Sequence, residues 1–565
     1  MSIFLVRNNQ ARTLLYDTEF QTKWQHLFDN CAWSTVFQHP IFLQIWNDNY
    51  QESCEFLLVY ETNSADEIIG LFPLNLCKSS NELSVAGNYH AEYQTWLASK
   101  ENANLFIEKA LDLLQKEFPQ LKLQFLFLAP NSPLDWLKGK WGKQSNLREM
   151  PRPLIEIGDG SKSAESLRKK GNKSRIRQLK KFGEVNFAEV KNAEEFNEVF
   201  DEIENYSKLR LSALHNVKPT FDAKRKPFHL DLTTRTDWVY PTLLKVGNEI
   251  ASAQVCLKNR DEMLLCITAM SPKFAHQSPS KIHILMLEQE LAKRNVPIFD
   301  LSPGEGYKDR FATHYDNAYA LTVYFDRKDF VKYETRRSIS GFVREQLEQR
   351  NIRKTKAFAV ADRIRHKLKR VKFHTIPSTV AKNIGRKIYE KRECRFYYFD
   401  VEEIKNLPNY DFVRRNSIED LLKYEPAEGW QFTASQFHQA VLTRFEDGAI
   451  SYTFAEDNKL LHYGWLLENQ EISRVPEVGN GQFHFPPNSA VLFDFYTHPN
   501  ARGRKFYQQS LSQMLHVASQ IPNVKQVFIG VLADNKPSRY VIEKVGFKYH
   551  SSLFMETKLG RTKTW

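Results

Sequence analysis

One order of elements returns three times along this chain without a fixed spacing, and that recurrence constrains the fold more than any single motif. In each third, two strand-like runs are followed by a third strand, an amphipathic helix and an apolar strand. The first block has strands over 56–61 and 67–77 around a polar turn at 62–66, then 83–98. A helix over 103–118 follows, with Leu105, Phe106, Ala110, Leu113 and Leu114 on one face, and then a strand over 121–128. The middle block has 242–246 and 250–257 around Gly247 and Asn248, then 262–270. A helix over 280–295 carries Ile284, Leu287 and Leu291, and a strand over 296–301 follows. The last block has 451–455, 460–467 and 490–498, a helix over 504–519, a strand over 524–532, a short helix over 537–545 and a closing strand over 547–557. Helical patterns at 192–214 and 435–445 precede the second and third blocks. This alternation predicts an α/β (α+β) protein of three lobes, each a mixed sheet flanked by helices.

Charge is distributed unevenly. Residues 326–395 hold 22 Lys and Arg against 8 Asp and Glu, a net of +14, and residues 162–181 hold +8. The rest of the chain therefore carries −10 of the overall +12. The first stretch is poor in apolar residues and reads as a basic helical linker, not a core-forming unit. Such a segment suits a solvated spacer, an anionic lipid surface or nucleic acid. A sequence-specific DNA reader is disfavoured, since no helix-turn-helix or zinc-finger pattern is present. The six cysteines are scattered without a C-x-x-C pair, so no metal or disulfide framework is expected. Neither a secretory leader nor an apolar run of about 20 residues is legible, which predicts a cytoplasmic protein, peripheral to the inner membrane if the linker meets lipid.

The clearest chemical motif lies in the third block, Tyr496-Thr497-His498-Pro499-Asn500-Ala501-Arg502-Gly503-Arg504-Lys505-Phe506-Tyr507. A strand ends, a basic Gly-containing turn follows, and a helix begins. Backbone N–H groups and the helix dipole at such a place bind phosphate oxygens, with Arg502, Arg504 and Lys505 adding charge. Asn535 and Ser538 follow the next strand.

The turn at Arg502-Gly503, then Asn535-x-x-Ser538 and Glu543-Lys544-Val545-Gly546-Phe547, resemble the GNAT superfamily of acyl-CoA-dependent N-acyltransferases over about residues 400–565. The resemblance implies a sheet whose two central parallel strands splay apart to admit acyl-CoA. Its pyrophosphate would meet Arg502, Gly503, Arg504, Lys505, Phe506 and Tyr507, and Asn535 and Ser538 would approach the cofactor. The sequence departs from the family turn at Lys505 and Tyr507, where small residues are usual, and has Ile542 where many members place a catalytic Tyr. Asp494, His498 and Tyr540 are the catalytic candidates there. Residues 20–325 are similar to the CelD-like acetyltransferase family of envelope and exopolysaccharide loci. That likeness rests on Trp33-Ser34-Thr35-Val36-Phe37-Gln38-His39-Pro40, on Tyr93-Gln94 after Gly87, and on Asp300-Leu301-Ser302-Pro303-Gly304-Glu305-Gly306-Tyr307-Lys308. It implies a catalytic or binding role for Asp300 and substrate contacts for Tyr307 and Lys308. Asp222 and His229 are further acceptor-site candidates.

The expected domains are a GNAT-like lobe at 1–150, lacking the Gly turn and the Asn-x-x-Ser pattern, a CelD-like lobe at 151–325, the basic linker at 326–395 and a GNAT domain at 396–565. The expected function is transfer from acyl-CoA, acetyl-CoA first among them, to an amino group of a small-molecule or lipid-linked sugar precursor of the envelope or an exopolysaccharide. Two alternatives stay open. One is Fem-type transfer from aminoacyl-tRNA, and the other is a non-catalytic scaffold.

Overall fold

The computed structural model describes residues 2–215, 218–219, 221–304, 306–335, 337, 389–427, 432–558 and 561–565. Most of the basic linker, residues 338–388, lies outside the described residues. The chain divides into two compact units, residues 1–204 with 221–350 and residues 205–220 with 351–565.

The first unit is built on one sheet of strands β1 (Ser2–Arg7), β2 (Cys54–Thr62), β3 (Ile68–Cys77), β4 (Glu82–Val85), β5 (Tyr93–Gln94), β6 (Leu97–Ala98), β7 (Lys122–Leu128), β8 (Ser145–Glu156), β9 (Val185–Glu189), β10 (Val239–Val246), β11 (Glu249–Asn259), β12 (Glu262–Met270), β13 (Ile298–Asp300) and β14 (His314–Tyr324). Its order is β1-β2-β3-β4-β7-β14-β8-β13-β12-β11-β10-β9, with β5 beside β7 and β6 beside β3. The first two lobes therefore share one hydrogen-bonded surface, because β14 pairs with β7 on one side and β8 on the other. Helices of this unit include α1 (Asn8–Tyr16), α2 (Thr18–Asn30), α3 (Pro40–Tyr50), α4 (Ala103–Glu117), α5 (Ser161–Arg168) and α6 (Lys170–Leu179). They also include the start of α7 (Ala193–His215), then α8 (Arg225–Arg235) and α9 (Pro279–Lys293). On α4 the apolar spacing buries Phe106, Ala110 and Leu114, while Leu105 stays exposed.

Two features decide where a ligand can enter. In the second lobe β12 and β13 run parallel and pair only over 262–264 with 298–300, after which β12 continues to Met270 bonded to β11 but not to β13. The strands have parted, and α9 starts just beyond. In the first lobe the opening is closed. The run expected as one strand over 83–98 is broken, because β4 leaves the ladder after Ser84 and β5 rejoins β7 at Tyr93–Phe127 and Gln94–Leu128. Between them, the Leu126 N–H loses a strand partner and donates instead to Gln94 Oε1 at 2.6 Å, while Gln94 Nε2 donates to the Asn88 carbonyl. The excluded segment, 86–92, stands out as a loop. Its entry at Gly87 has φ +91, and a Cβ there would lie 2.7 Å from Ala91.

The second unit has an eight-stranded sheet of β15 (Tyr389–Asp400), β16 (Arg414–Arg415), β17 (Ile450–Glu456), β18 (Lys459–Leu467), β21 (Ser489–Thr497), β22 (Gln526–Leu532), β23 (Lys548–Lys558) and β24 (Arg561–Thr564), plus a hairpin of β19 (Ile472–Val475) and β20 (Gly481–His484). Its order is β16-β17-β18-β21-β22-β15-β23-β24. Helices α10 (Ile418–Leu422) and α11 (Ala434–Glu446) pack on one cluster of apolar residues, and α12 (Phe506–Ala518) and α13 (Lys536–Val545) on another. Strands β21 and β22 pair over 489–492 with 526–529 and then separate.

Three expectations are corrected. Residues 389–395 are not linker helix but the start of β15, whose partners β22 and β23 lie more than a hundred residues downstream. The helix expected from 504 begins at Phe506, since Gly503 (φ +83) and Lys505 (φ +64) hold the left-handed region that no helix uses. The strand at 547–557 does not close the sheet alone, for β15 is wedged between it and β22, and β24 lies outside it. In the second lobe β8 takes the equivalent wedge between β13 and β14. No helix among the described residues is long and apolar enough to cross a membrane.

Candidate active site

The loop 86–92 of the first lobe brings Tyr89, His90 and Glu92 against β11, β12 and α8 of the second. Together they line a cavity of about 60 Å³, room for only a few water-sized groups. Its apolar wall is Phe42, Phe228, Leu232, Val255 and Ile267, and its polar groups include Glu92, His90, His229 and Arg225. Cys266 opens into it as well. On β12 this residue is the extra member of a β-bulge, because Ile267 faces Val255 while Leu265 faces Cys256. The bulge lies just past the point where β12 and β13 part.

Burial sets the protonation of these groups. Glu92 is pushed up to about 7 by burial, opposed by the nearby Lys308 charge. That value is suited to accepting a proton at neutral pH. Burial also pushes the Cys266 thiol well up. It lowers His90 to about 4 and His229 further, so both rings are neutral.

His90 is held by a chain of hydrogen bonds. Tyr50, at the end of α3, donates its hydroxyl to Asp222 Oδ2 at 2.6 Å, and Tyr89 donates to the same oxygen. The Tyr50 oxygen lies 2.7 Å from His90 Nε2. Since the Tyr50 proton is committed to Asp222, His90 must supply the other, which leaves Nδ1 unprotonated. Burial works to raise the Asp222 carboxyl, but the bonds from His90, Tyr50 and Tyr89 outweigh it and hold it far below the usual range. His229 lines the cavity, whereas Asp222 is not among its lining residues and reaches it only through Tyr50, Tyr89 and His90.

Asp300 ends β13 and is fully engaged. Its Oδ2 accepts from Tyr93 at 2.5 Å and from Arg152 at 3.0 Å, and its Oδ1 accepts from the Ser302 N–H at 2.7 Å. Arg152 is 4% exposed and grips Asp316 with two bonds of 2.7 Å. The Asp300 carboxylate thus fixes the turn after β13 and ties it to β5 of the first lobe. Lys308 donates to the Ser302 carbonyl at 3.1 Å from the short helix Tyr307–Arg310. Burial lowers its ammonium, with Glu92 and Asp300 resisting. Tyr307 packs on the apolar cluster beneath α9.

A basic group stands on the α9 side. Burial lowers Lys281, in the first turn of α9, and so do the charges of Arg175, Arg310 and Lys169. Four cations therefore gather at a helix N-terminus beside the parted strands. Arg175 and Lys169 come from the basic stretch 162–181, which forms α5 and α6.

The third-lobe candidates occupy a different arrangement. Arg502, Gly503, Arg504 and Lys505 are all exposed on the turn before α12, Phe506 is buried, and Arg504 pairs with Glu456 at 2.9 Å. The Asn535 side chain caps α13 by accepting from the Ser538 N–H at 3.3 Å, and Tyr507 and Ser538 share a hydrogen bond of 3.0 Å. Asp494 has φ +48 at an irregularity of β21 and is ion-paired with Arg444, which also covers the Trp465 ring. Burial raises its carboxyl. His498 accepts from the Asn500 N–H at 3.3 Å, and burial with the Lys459 charge lowers it. Tyr540 is 65% exposed with Lys544 over its ring, and Ile542 is fully buried. Asp494, His498 and Tyr540 do not converge on one cavity among the described residues.

Sequence reading missed Glu92, His90, Cys266, Tyr50 and Arg152. Glu92 and His90 flank the Tyr93-Gln94 pair that was noticed, so that neighbourhood was the only signal available.

The family matches agree with this architecture. Residues 166–310 and residues 405–548 each match a family described as acetyltransferase (GNAT) domain, two separate families of that description. No curated protein matches the sequence. Similar solved structures include FemX, at 10% identity over 59% of this chain and 99% of that one, TM-score 0.40. Others are L-PGS from Bacillus licheniformis (10%, 55% and 92%, 0.34) and a tandem GNAT protein from the clavulanic acid biosynthesis pathway (12%, 67% and 100%, 0.23). With parted parallel strands in two lobes and both stretches matched, the chain belongs to the GNAT superfamily of transferases and carries two of its acetyltransferase domains.

Proposed function

We propose that the first unit transfers an acyl group from acyl-CoA, acetyl-CoA first among them, to a primary amine. The acceptor we infer is an amino sugar or related envelope or exopolysaccharide precursor, free or lipid-linked. The observation that carries the reading is Glu92, set at about 7 in a cavity where β12 has just left β13. Lobes 1–150 and 151–325 then act as one module, with residues 396–565 a separate domain.

The donor brings a thioester, and aminolysis of it needs a polarised carbonyl, a deprotonated amine and a proton for the departing thiolate. In this reading a backbone N–H of the bulge at Cys266, where the register of β11 and β12 shifts, polarises that carbonyl. Glu92 accepts the amine proton as the new C–N bond forms and passes it to the thiolate as the C–S bond breaks, so that CoA leaves as its thiol. His90 Nδ1 accepts a hydrogen bond that aligns the nucleophile. The cations around Lys281 meet the donor's phosphates. No covalent enzyme intermediate is required.

The test is calorimetric titration of the full chain with acetyl-CoA, repeated on Lys281→Glu/Arg310→Glu. Binding that disappears in the variant supports the reading, and its persistence there refutes the assignment of the donor site. If charged tRNA binds instead, with affinity falling steeply as salt rises, the donor is aminoacyl-tRNA. The basic stretch expected as linker, less the residues 389–395 that form β15, is proposed as a peripheral anchor to anionic lipid. Equal sedimentation with anionic and neutral vesicles would refute that role.

A further inference from the structure

The third lobe has the parted strands of a donor groove, and one of its own side chains fills them. Past Leu492 and Ile529, β21 pairs only with β18. Phe495 lies on that free stretch of β21, pressed so closely on Gly464 that a Cβ there would sit 2.3 Å from its ring. Tyr507 is the second residue of α12. Its ring lies 4.9 Å from the Phe495 ring, and its hydroxyl is 3.0 Å from Ser538 Oγ on α13, the helix that follows β22. The side chain thus runs from the β21 side of the opening to the β22 side. Burial pushes its phenol well up. Asn535, which caps α13, and Ser538 are both engaged around it.

The second lobe differs at the equivalent place. The second residue of α9 is Ser280, whose short side chain turns aside to Ser252 Oγ at 3.1 Å.

We propose that Tyr507 is a specificity-determining residue that excludes the acyl arm of a CoA donor from the third lobe, so the chain holds one donor at a time. The exposed turn Arg502–Lys505 is kept, and the groove it would serve is occupied. Replacing Tyr507 with a small residue turns the lobe into a second donor site. The exclusion concerns other strands and residues than the first-unit reading, while the count of one donor rests on that reading.

The experiment is calorimetric titration of the full chain with acetyl-CoA in the background Lys281→Glu/Arg310→Glu. Wild-type Tyr507 should give no binding heat in that background. Tyr507→Gly and Tyr507→Ala should each gain about one equivalent of binding, and adding Arg502→Glu/Lys505→Glu should remove it. Tyr507→Phe, which keeps the ring and loses only the Ser538 bond, should remain closed. Heat in the parent background that vanishes with Arg502→Glu/Lys505→Glu would overturn the proposal, since the lobe would then bind with Tyr507 in place. So would failure of folded Tyr507→Gly and Tyr507→Ala, judged by circular dichroism, to gain any binding. If neither variant folds, the parent titration decides alone. A failure of the first-unit reading shows separately, as acetyl-CoA binding unchanged by Lys281→Glu/Arg310→Glu and by Arg502→Glu/Lys505→Glu.

Discussion

Replacing Glu92 with Gln should stabilise the first unit, and only at the alkaline end. The Glu92 carboxyl is raised from 4.5 to about 7 by burial. Between those values the folded chain holds a proton that the unfolded chain has lost, so stability is full below 4.5 and falls as pH rises through 7. At 1.36 kcal/mol per unit the whole loss is about 3 kcal/mol, of which about 2.5 kcal/mol falls between pH 5 and 8. Gln cannot ionise and escapes that loss. For a unit of about 330 residues, with ~2.1 cal/mol/K of unfolding entropy each, the gap corresponds to roughly 3–4 °C. Lys308 trims it, because the ionised Glu92 favours its charge. Glu288, also raised to about 7 by burial, is common to both proteins and cancels in the difference. Differential scanning calorimetry of wild type and Glu92→Gln at pH 5, 6, 7 and 8 reads the effect. Melting curves that stay parallel across that range would show Glu92 to be an ordinary solvated carboxylate and would remove it as the base.

Three further outcomes follow from the packing. Arg152→Met leaves Asp300 and Asp316 without their shared partner and should cost about 3–5 kcal/mol. Adding Asp300→Asn should recover part of that loss in a double-mutant cycle of thermal melts. Lys505→Gly removes a left-handed non-glycine residue and should stabilise the second unit by up to about 1 kcal/mol, whereas Lys505→Val should destabilise it. Gly464→Ala drives a methyl into the Phe495 ring and should cost about 1–3 kcal/mol, visible as a lower melting temperature for the second unit.

The repeated blocks were legible because strand alternation and helix spacing are local signals. The helix at Ala103–Glu117, the hairpin of β10 and β11 and the pair β17 and β18 all sit where their patterns put them. Long-range pairing was not legible. Nothing in the residues 389–400 states that their partners are Gln526–Leu532 and Lys548–Lys558, and a basic neighbourhood hid the strand. The break at 86–92 was also invisible, since Val85, Tyr93 and Leu97 continue an apolar rhythm while the ladder between them is replaced by one glutamine side chain. The site suffered for the same reason. Asp300 stood out at the end of an apolar strand, but Arg152 and Tyr93, which engage it, come from 148 and 207 residues away. Lys505 and Tyr507 were marked as departures from a family turn. Only the fold gives those departures a meaning, a left-handed backbone in one case and an occupied groove in the other.

The strand β14 carries a consequence for how this chain can be cut. It is the last strand of the second lobe, yet it lies between both lobes, with Tyr319–Tyr324 bonded to β7. A chain begun at residue 145 would keep the whole second-lobe sequence and still present that stretch as a bare, apolar edge carrying Leu321 and Val323, both buried in the intact sheet. Such edges recruit other chains. The two lobes should therefore melt in one transition and resist separation by protease at 129–145. The loop that supplies Glu92 and His90 stays in place because the lobe bearing it cannot leave.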